Sequence, residues 1–162
     1  DSQSGGAAST CRSNTDCNAG FCEKTRCGDD VGHCELRDVF CEGQRAQPVC
    51  GCDNVTYLND CWRRQAGVPL KTFGECRDQM LTCSRSVDCP NGALCVRLFA
   101  QGDACLMGGP GKCWSAPESC EAIPNAPNFM ECGTPGPCVD MCTAIRSTGH
   151  SFTRVPGGCP QP

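Results

Sequence analysis

The twenty cysteines are the residues of this chain that are best suited to chemistry, because thiols can bind a metal, attack a substrate or pair as disulfides. Cys50-Gly51-Cys52 is a C-x-C motif, so a metal site has to be considered. Structural zinc sites usually show paired C-x2-C motifs, and the chain has none. His33 and His150 are the available imidazole ligands, and each is better explained as a surface residue. We therefore expect no metal and no cofactor.

A catalytic nucleophile is the second alternative. Ser151 follows His150, but a nucleophile elbow needs a strand, a sharp turn and a helix around the serine, and this setting is missing there. If all the cysteines pair, no free thiol remains for covalent catalysis. The sequence therefore predicts a protein that is not an enzyme.

The composition favours disulfides. Twenty of 162 residues are cysteine, above the share of roughly 8–10% that marks a disulfide scaffold. Only 39% of the residues are hydrophobic, and glycine and proline number 19 and 12. We expect no large core, so that the bridges must replace it and reduction unfolds the protein. The chain is thus expected in an oxidising compartment, as a secreted, periplasmic or cell-surface protein.

Charge and hydropathy exclude two kinds of partner. The net charge is −4 with no basic face, which argues against nucleic acid. No apolar stretch approaches the length of a membrane span. Residues 1–10 are polar and predict a flexible N-terminal tail. A lipid-modified cysteine before Asp1 would make that tail a membrane tether.

The cysteine spacing repeats. Ten cysteines lie between positions 11 and 76 and ten between 83 and 159, with equal gaps between the first and second and between the fifth and sixth. Asp16-Cys17 corresponds to Asp88-Cys89, so duplication is the best explanation. It predicts a four-cysteine knot at 11–33, a six-cysteine body at 34–76, a linker at 77–82, a second knot at 83–112 and a second body at 113–162.

Local sequence predicts three strands and a helix in the first body. Asp53-Asn54 is a turn dipeptide between two strand-like segments and predicts a tight hairpin. Asn59 is a good N-cap for a helix over Cys61–Ala66, which Gly67 ends. The predicted strands are Pro48–Gly51, Val55–Tyr57 and Leu70–Phe73. The whole fold is expected to be small, disulfide-rich and mostly irregular, with short β-hairpins and two short helices.

At these residues the chain resembles a known family. Pro48-Val49-Cys50-Gly51, then Asp53-Asn54-Val55-Thr56-Tyr57, Asn59, Cys61 and a closing Gly74-Glu75-Cys76, is similar to the Kazal domain of serine protease inhibitors and follistatin-like extracellular proteins. The resemblance covers residues 34–76, well under half the chain. A cysteine usual near the start of the helix is absent. Cys52 takes its place, as in bacterial secreted Kazal-like repeats.

The resemblance implies a disulfide pattern that the spacing alone cannot fix. The family's pairing gives Cys41–Cys61 and Cys50–Cys76 and leaves Cys34 for Cys52. For the knot we expect Cys11–Cys22 and Cys17–Cys27. The corresponding pairs in the second unit are Cys113–Cys138, Cys120–Cys142, Cys132–Cys159, Cys83–Cys95 and Cys89–Cys105.

The resemblance also implies a protease-binding loop. In the family, the segment between the second and third cysteines is held extended and enters a protease active site as an uncleaved substrate mimic, at a low entropic cost. Here that segment is Glu42–Val49, and the family's specificity position falls on Gly43. The segment is one residue longer than is common, so an insertion could move the position to Gln44 or Arg45. Arg45 would suggest a trypsin-like target.

Asn59 has two interpretations. An asparagine at this place in inhibitory members bonds backbone carbonyls on both sides of the scissile bond, but a helix N-cap needs the same residue type. The second unit has Asp140 there and a longer loop, Glu121–Glu131. That loop has drifted into a structural role or binds something different. Phe129-Met130, if exposed, would be a contact for another protein.

Two functions remain open. The first is an extracytoplasmic Kazal-like protein that inhibits a serine endopeptidase through the Glu42–Val49 loop, which the PVCG motif, Tyr57 and Asn59 favour. The alternative is a non-inhibitory structural or adhesion component of a cell-surface or extracellular assembly. Gly43, the lengthened loop and the missing helix cysteine favour the alternative. The expected partner is accordingly a serine protease or a protein of a surface assembly.

Overall fold

The computed structural model describes residues 9–77, 81–99, 105, 109–120, 127–133 and 136–155. Short strands, two α-helices and disulfides make up these parts of the chain, which confirms the expected fold class. The helices are α1 (Asp60–Ala66) and α2 (Met141–Arg146). The strands are β1 (Thr10–Cys11), β2 (Gly20–Glu23), β3 (Gly32–Leu36), β4 (Val49–Gly51), β5 (Thr56–Tyr57), β6 (Leu70–Phe73), β7 (Thr82–Cys83), β8 (Leu94–Phe99), β9 (Gly111–Ser115), β10 (Asn128–Glu131), β11 (Val139–Asp140) and β12 (Ser151–Val155).

The first sheet is small and antiparallel, in the order β1-β3-β2. Cys11 of β1 bonds to Cys22 of β2, and Cys17 bonds to Cys34 of β3. The strands approach closely at Gly32, where a Cβ atom would collide with the carbonyl oxygen of Glu23. Cys34 therefore belongs to this sheet, whereas the sequence placed it at the start of the following body.

The second sheet runs through both cysteine units. Strands β4 and β5 form the expected hairpin, with Asn54 in the turn at a φ of 61°, and β6 pairs with the other edge of β4. Strand β5 then pairs in parallel with β9, where Thr56 lies opposite Trp114. The remaining strands continue from β9, and the order is β11-β10-β12-β8-β9-β5-β4-β6 with β7 also on β9. The parallel β5–β9 pair thus joins the two units through backbone hydrogen bonds.

The buried apolar clusters contain side chains of both units. One buried cluster combines Val49, Val55 and Tyr57 with Cys89 and Cys113 of the second unit. A second cluster surrounds Leu58 with side chains of the second unit: Val96, Trp114, Phe129, Met141, Ala144, Ile145 and Phe152. The sequence predicted no large core, and two buried clusters that join the units differ from that expectation. Because they pack together, the two units bury apolar side chains in common clusters.

The disulfides correct several expected pairs. Nine bridges join described cysteines, and none of the described cysteines is free. The structure contains the expected pairs Cys11–Cys22, Cys41–Cys61, Cys50–Cys76, Cys83–Cys95 and Cys120–Cys142. In the first unit it has Cys17–Cys34 and Cys27–Cys52, so Cys17–Cys27 and Cys34–Cys52 are wrong. The β2–β3 pairing explains this, because it brings Cys34 beside Cys22 and away from the β4–β5 turn.

The second unit needs the same kind of correction. Cys89 bonds to Cys113 and Cys105 bonds to Cys132. The expected pairs Cys89–Cys105, Cys113–Cys138 and Cys132–Cys159 are therefore wrong, and Cys159 lies outside the described residues. Strand β9 carries Cys113 directly opposite Cys95 of β8, within reach of Cys89. Within the described parts of the chain, no helix is long and apolar enough to cross a membrane.

Candidate functional site

The Glu42–Val49 loop leaves the domain between two buried anchors. Cys41 bonds to Cys61 on α1, and Cys50 on β4 bonds to Cys76. Both anchor cysteines are almost completely buried, at 2% and 1% exposure. Residues 42–45 are exposed between them. The loop is therefore a surface projection with both ends fixed covalently to the rest of the domain.

Asn59 fixes the middle of this loop. Its side chain is 4% exposed; Nδ2 donates to the carbonyl oxygen of Arg45 at 3.2 Å, and Oδ1 accepts from the backbone N–H of Trp62 at 3.1 Å. An amide has both a donor and an acceptor group, so one side chain can make both bonds. The two interpretations from the sequence are thus not exclusive. Asn59 caps α1 and holds the loop at the same time.

Two further contacts hold the loop after Arg45. The methyl group of Ala46 packs against the apolar cluster around Leu58, and the N–H of Gln47 donates to the Leu58 carbonyl oxygen at 3.0 Å. Before Arg45, Gly43 has a φ of +71°, a left-handed conformation in a turn. A residue with a side chain would be strained there. The loop therefore turns at Gly43 and is anchored from Arg45 onward.

Helix α1, which carries Asn59 and Cys61, is held at its C-terminus as well. Gly67 follows the helix in the left-handed conformation, as the sequence predicts, with φ and ψ of 71° and 38°. The Arg37 guanidinium donates to the carbonyl oxygens of Gln65 and Ala66 at 3.2 and 3.1 Å, and to that of Gly20 on β2 at 3.2 Å. A cation at the negative end of the helix is stabilising. Arg37 thus connects the helix to the first sheet.

Arg63 makes the second connection from α1 to the first sheet, and it was not among the predicted site residues. Arg63 is 2% exposed, and its guanidinium bonds Asp60 at 2.6 Å and Glu23 at 2.7 Å and also donates to the Val68 carbonyl. Burial lowers the pKa of Arg63, but the hydrogen bonds to the two carboxylates outweigh it and the net pKa is raised. Phe21 lies 5.7 Å from the same guanidinium. The Asp60–Arg63 spacing is visible in the sequence, but the long-range Glu23 contact is not.

Tyr57 has a structural role. Its hydroxyl donates to Asp53 Oδ2 at 2.7 Å, and Asn91 of the second unit donates to the same oxygen at 3.1 Å. Burial raises the pKa of Tyr57, and the negative charge of Asp53 adds to this effect. The phenol therefore stays a neutral hydrogen-bond donor. It helps to hold Asp53, whose bond from Asn91 connects the β4–β5 turn to the second unit.

The corresponding place in the second unit is built differently. Asp140 caps α2 by accepting from the N–H of Thr143 at 3.0 Å. Its carboxylate has no N–H group, so it cannot hold a loop carbonyl as Asn59 does. Phe129 is only 4% exposed and Met130 is half-buried in β10, so the exposure that a protein contact at these residues would require is not present. Strand β10 lies between β11 and β12, and Phe129 packs into the apolar cluster around Leu58. Residues 121–126 of that loop lie outside the described residues.

The candidate metal and nucleophile positions have simple explanations. Three groups bring cysteine sulfurs within 4.8 Å of one another, but all their cysteines are disulfide-bonded and have no thiolate to offer. They are Cys11, Cys17 and Cys34; Cys83, Cys89 and Cys113; and Cys120 and Cys142 with Asp140. His33 bonds Glu35 and His150 bonds Glu131. Ser151 lies at the start of β12, without the strand-turn-helix setting of a nucleophile.

Large apolar side chains are exposed just before the loop. Leu36, Val39 and Phe40 are 72%, 70% and 81% exposed, and Phe40 is the neighbour of Cys41. The apolar Val39-Phe40 pair was a signal in the sequence, although nothing there showed that it faces solvent. Exposed apolar groups so close together are typical of a protein contact.

Comparison with known families agrees with this geometry. Residues 37–76 match the family model of the Kazal-type serine protease inhibitor domain. This segment is a Kazal-type domain. The match takes in the loop, Asn59, α1 and the Cys41–Cys61 and Cys50–Cys76 bridges, while Cys52 of the Kazal-type domain bonds outside it, to Cys27. No solved structure matches the chain significantly.

Proposed function

We propose that the chain is a serine endopeptidase inhibitor that binds its target through residues 42–45 of the Kazal-type domain. The abundant disulfides and the Kazal-type domain indicate an extracellular or other oxidising compartment. The observation that carries the proposal is the bond from buried Asn59 to the Arg45 carbonyl. This bond restricts the exposed segment to one conformation before a partner binds, so that binding loses little conformational entropy.

The same bond selects the specificity residue. A serine protease stabilises the carbonyl oxygen of the residue in its specificity pocket with hydrogen-bond donors of its own. The Arg45 carbonyl already faces Asn59, so Arg45 does not fit that position. Gly43 has no side chain and turns the loop at positive φ. Gln44 is exposed between them, and we assign it the specificity position, with the scissile bond between Gln44 and Arg45.

Resistance to cleavage follows from how the two sides of that bond are held. The Cys41–Cys61 bridge holds the chain before it, and Asn59, Ala46 and the Gln47–Leu58 bond hold the chain after it. If the bond breaks, the new amine stays beside the acyl group instead of diffusing away. Such proximity raises the effective concentration for resynthesis by many orders of magnitude. The loop therefore acts as a slow substrate and a stable ligand.

The test is a titration of the oxidised protein against trypsin-, chymotrypsin-, elastase- and subtilisin-like proteases and one that accepts glutamine. Gln44→Arg should create or strengthen inhibition of the trypsin-like enzyme, while Arg45→Ala should leave inhibition nearly unchanged. Asn59→Asp keeps the helix cap but loses the donor, and should weaken inhibition up to about tenfold. Loss of trypsin inhibition in Arg45→Ala would move the specificity position to Arg45. No inhibition by wild type or Gln44→Arg would overturn the proposal.

The exposed apolar side chains favour the alternative function, a structural or adhesion component. Leu36, Val39 and Phe40 would then contact another protein of a surface assembly. In that case Phe40→Ser should reduce self-association or partner binding, measured by sedimentation, in a wild-type protein that inhibits no protease. Monomeric behaviour of wild type at high concentration, together with inhibition, would count against this alternative.

A further inference from the structure

A cleft lies beside the loop, between the Kazal-type domain and the second unit. Its volume is about 240 Å³. The loop forms one wall, α1 forms the floor, and a segment after β9 forms the other wall. The main lining residues are Glu42, Gln44, Trp62, Gln65, Pro117 and Glu118.

Both walls of the cleft are held in place. Cys41–Cys61 fixes the loop wall to α1. On the opposite side, Arg146 of α2 donates to the Pro117 carbonyl oxygen at 2.9 Å, and the Cys120–Cys142 bridge joins the end of this segment to α2. Pockets for organic ligands are usually about 300–1,000 Å³. The cleft is smaller than that range and has room for a single long side chain.

The lining of the cleft favours a cation. Glu42 and Glu118 are exposed carboxylates on opposite walls, and neither has an ion pair among the described residues. No lysine or arginine is among the residues that line the cleft. Trp62 is half-buried at the floor and offers an indole ring, the best aromatic partner for a cation. Two carboxylates and an indole together match an arginine or lysine side chain.

We propose that this cleft takes an arginine or lysine side chain from the protein that the loop engages. The inference rests on the proposed function, because Gln44 lines the cleft and a protease seated on Gln44 covers its opening. The second unit then contributes Glu118 directly to the bound surface. Target choice would depend on both units, with Gln44 filling the specificity pocket and the cleft selecting proteases that carry a basic residue on the rim.

The first experiment tests the cleft without any protease. The oxidised full chain is titrated with N-acetyl-arginine amide, and the indole N–H resonance of Trp62 is followed by NMR. We expect a saturable shift, which uncharged N-acetyl-norleucine amide does not reproduce. Glu118→Gln should weaken probe binding about threefold and Glu42→Gln/Glu118→Gln about tenfold. Asp30→Asn, an exposed carboxylate on the far β2–β3 loop, is the matched control and should bind as wild type does. Equal shifts with the neutral probe, or unchanged binding in the double variant, would overturn the cleft assignment.

The second experiment uses whichever protease the loop inhibits. The inhibition constant of wild type should rise between low and high salt, because the exposed carboxylates are screened. At low salt Glu118→Gln should raise the inhibition constant about threefold, and Asp30→Asn should not. A Glu118→Gln variant as potent as wild type would refute the contact with the target. If the chain inhibits no protease, the proposed function fails, and the arginine titration still decides whether the cleft binds a cation.

Discussion

The first halves of the two ten-cysteine units are built alike. In the first unit β1 and β2 flank β3, with bridges Cys11–Cys22 and Cys17–Cys34. In the second unit β7 and β8 flank β9, with bridges Cys83–Cys95 and Cys89–Cys113. A short 3-10 turn precedes the second cysteine in each, at Asn14–Asp16 and Ser86–Asp88. These parallels support the duplication that the cysteine spacing predicts.

The second halves have diverged. Asn59 both caps α1 and holds a loop carbonyl. Asp140 caps α2 and, within the described residues, holds no loop carbonyl. Arg63 is buried on α1 in a network with the first sheet, whereas Arg146 is exposed on α2. After α1 the chain returns as β6 on the hairpin, but after α2 it returns as β12 against β8 and β10. The part that presents a loop is thus kept in the first unit and rebuilt in the second.

The largest effects are expected for the bridges that join the two halves of each unit. Cys27→Ser/Cys52→Ser and Cys105→Ser/Cys132→Ser remove bridges of similar sequence separation, 25 and 27 residues. Each should lower the free energy of unfolding by about 3 kcal/mol. Denaturant unfolding without reductant measures both. A difference of more than about 1.5 kcal/mol would show that the two bridges are not equivalent.

The two helix arginines should differ sharply. Arg63→Met leaves the largely buried Glu23 carboxylate without its positively charged partner, and should lower the free energy of unfolding by about 3 kcal/mol. Arg146→Met removes one exposed hydrogen bond and should cost about 0.5 kcal/mol. Thermal unfolding of the pair measures this contrast. Equal losses would mean that the Arg63 network does not hold α1 to the first sheet.

Removing the two helix caps should have different effects on stability and on the loop. Asp140→Ala should lower the free energy of unfolding by about 1 kcal/mol through loss of the N-cap, and Asn59→Ala by about 2 kcal/mol, because it also removes the bond to the Arg45 carbonyl. Only Asn59→Ala also frees the Arg45 carbonyl, and it should speed cleavage between Gln44 and Arg45 in limited proteolysis. Equal cleavage rates in the two variants would show that the Asn59 side chain does not keep the loop rigid.

The smallest effects concern the two aspartates that repeat before the second cysteines. Backbone N–H bonds lower the pKa of Asp16 (from Arg12 and Ser13) and of Asp88 (from Arg85 and Ser84) below the ordinary 3.8. Because the pKa is lower in the folded state, the stabilisation is full only above about pH 5 and is lost as the pH falls through the folded value. Asp16→Asn and Asp88→Asn should therefore destabilise slightly at pH 7, and progressively less as the pH falls below the ordinary pKa of 3.8. A loss that persists at low pH would point to a different cause.

Local elements were predictable because short sequence patterns decide them. The hairpin depends on Asp53-Asn54, and α1 depends on Asn59 three residues before the N–H it caps and on Gly67 after it. The loop boundaries followed from Cys41 and Cys50. The pairs Cys17–Cys34 and Cys27–Cys52 were not predictable, because they depend on which strands meet.

By itself, the sequence determined an oxidised, cysteine-paired chain with a Kazal-like hairpin and helix, since composition and patterns of three to five residues specify these features. The tertiary structure decided which cysteines pair, how β5 and β9 join the units, and how Glu23 reaches Arg63. It also decided that Asn59 faces Arg45 and that Glu118 stands across a cleft from Glu42. These contacts join residues that are distant in the chain. Such a contact stabilises the fold only after the chain between its two partners has closed into a loop, so no local sequence pattern encodes it.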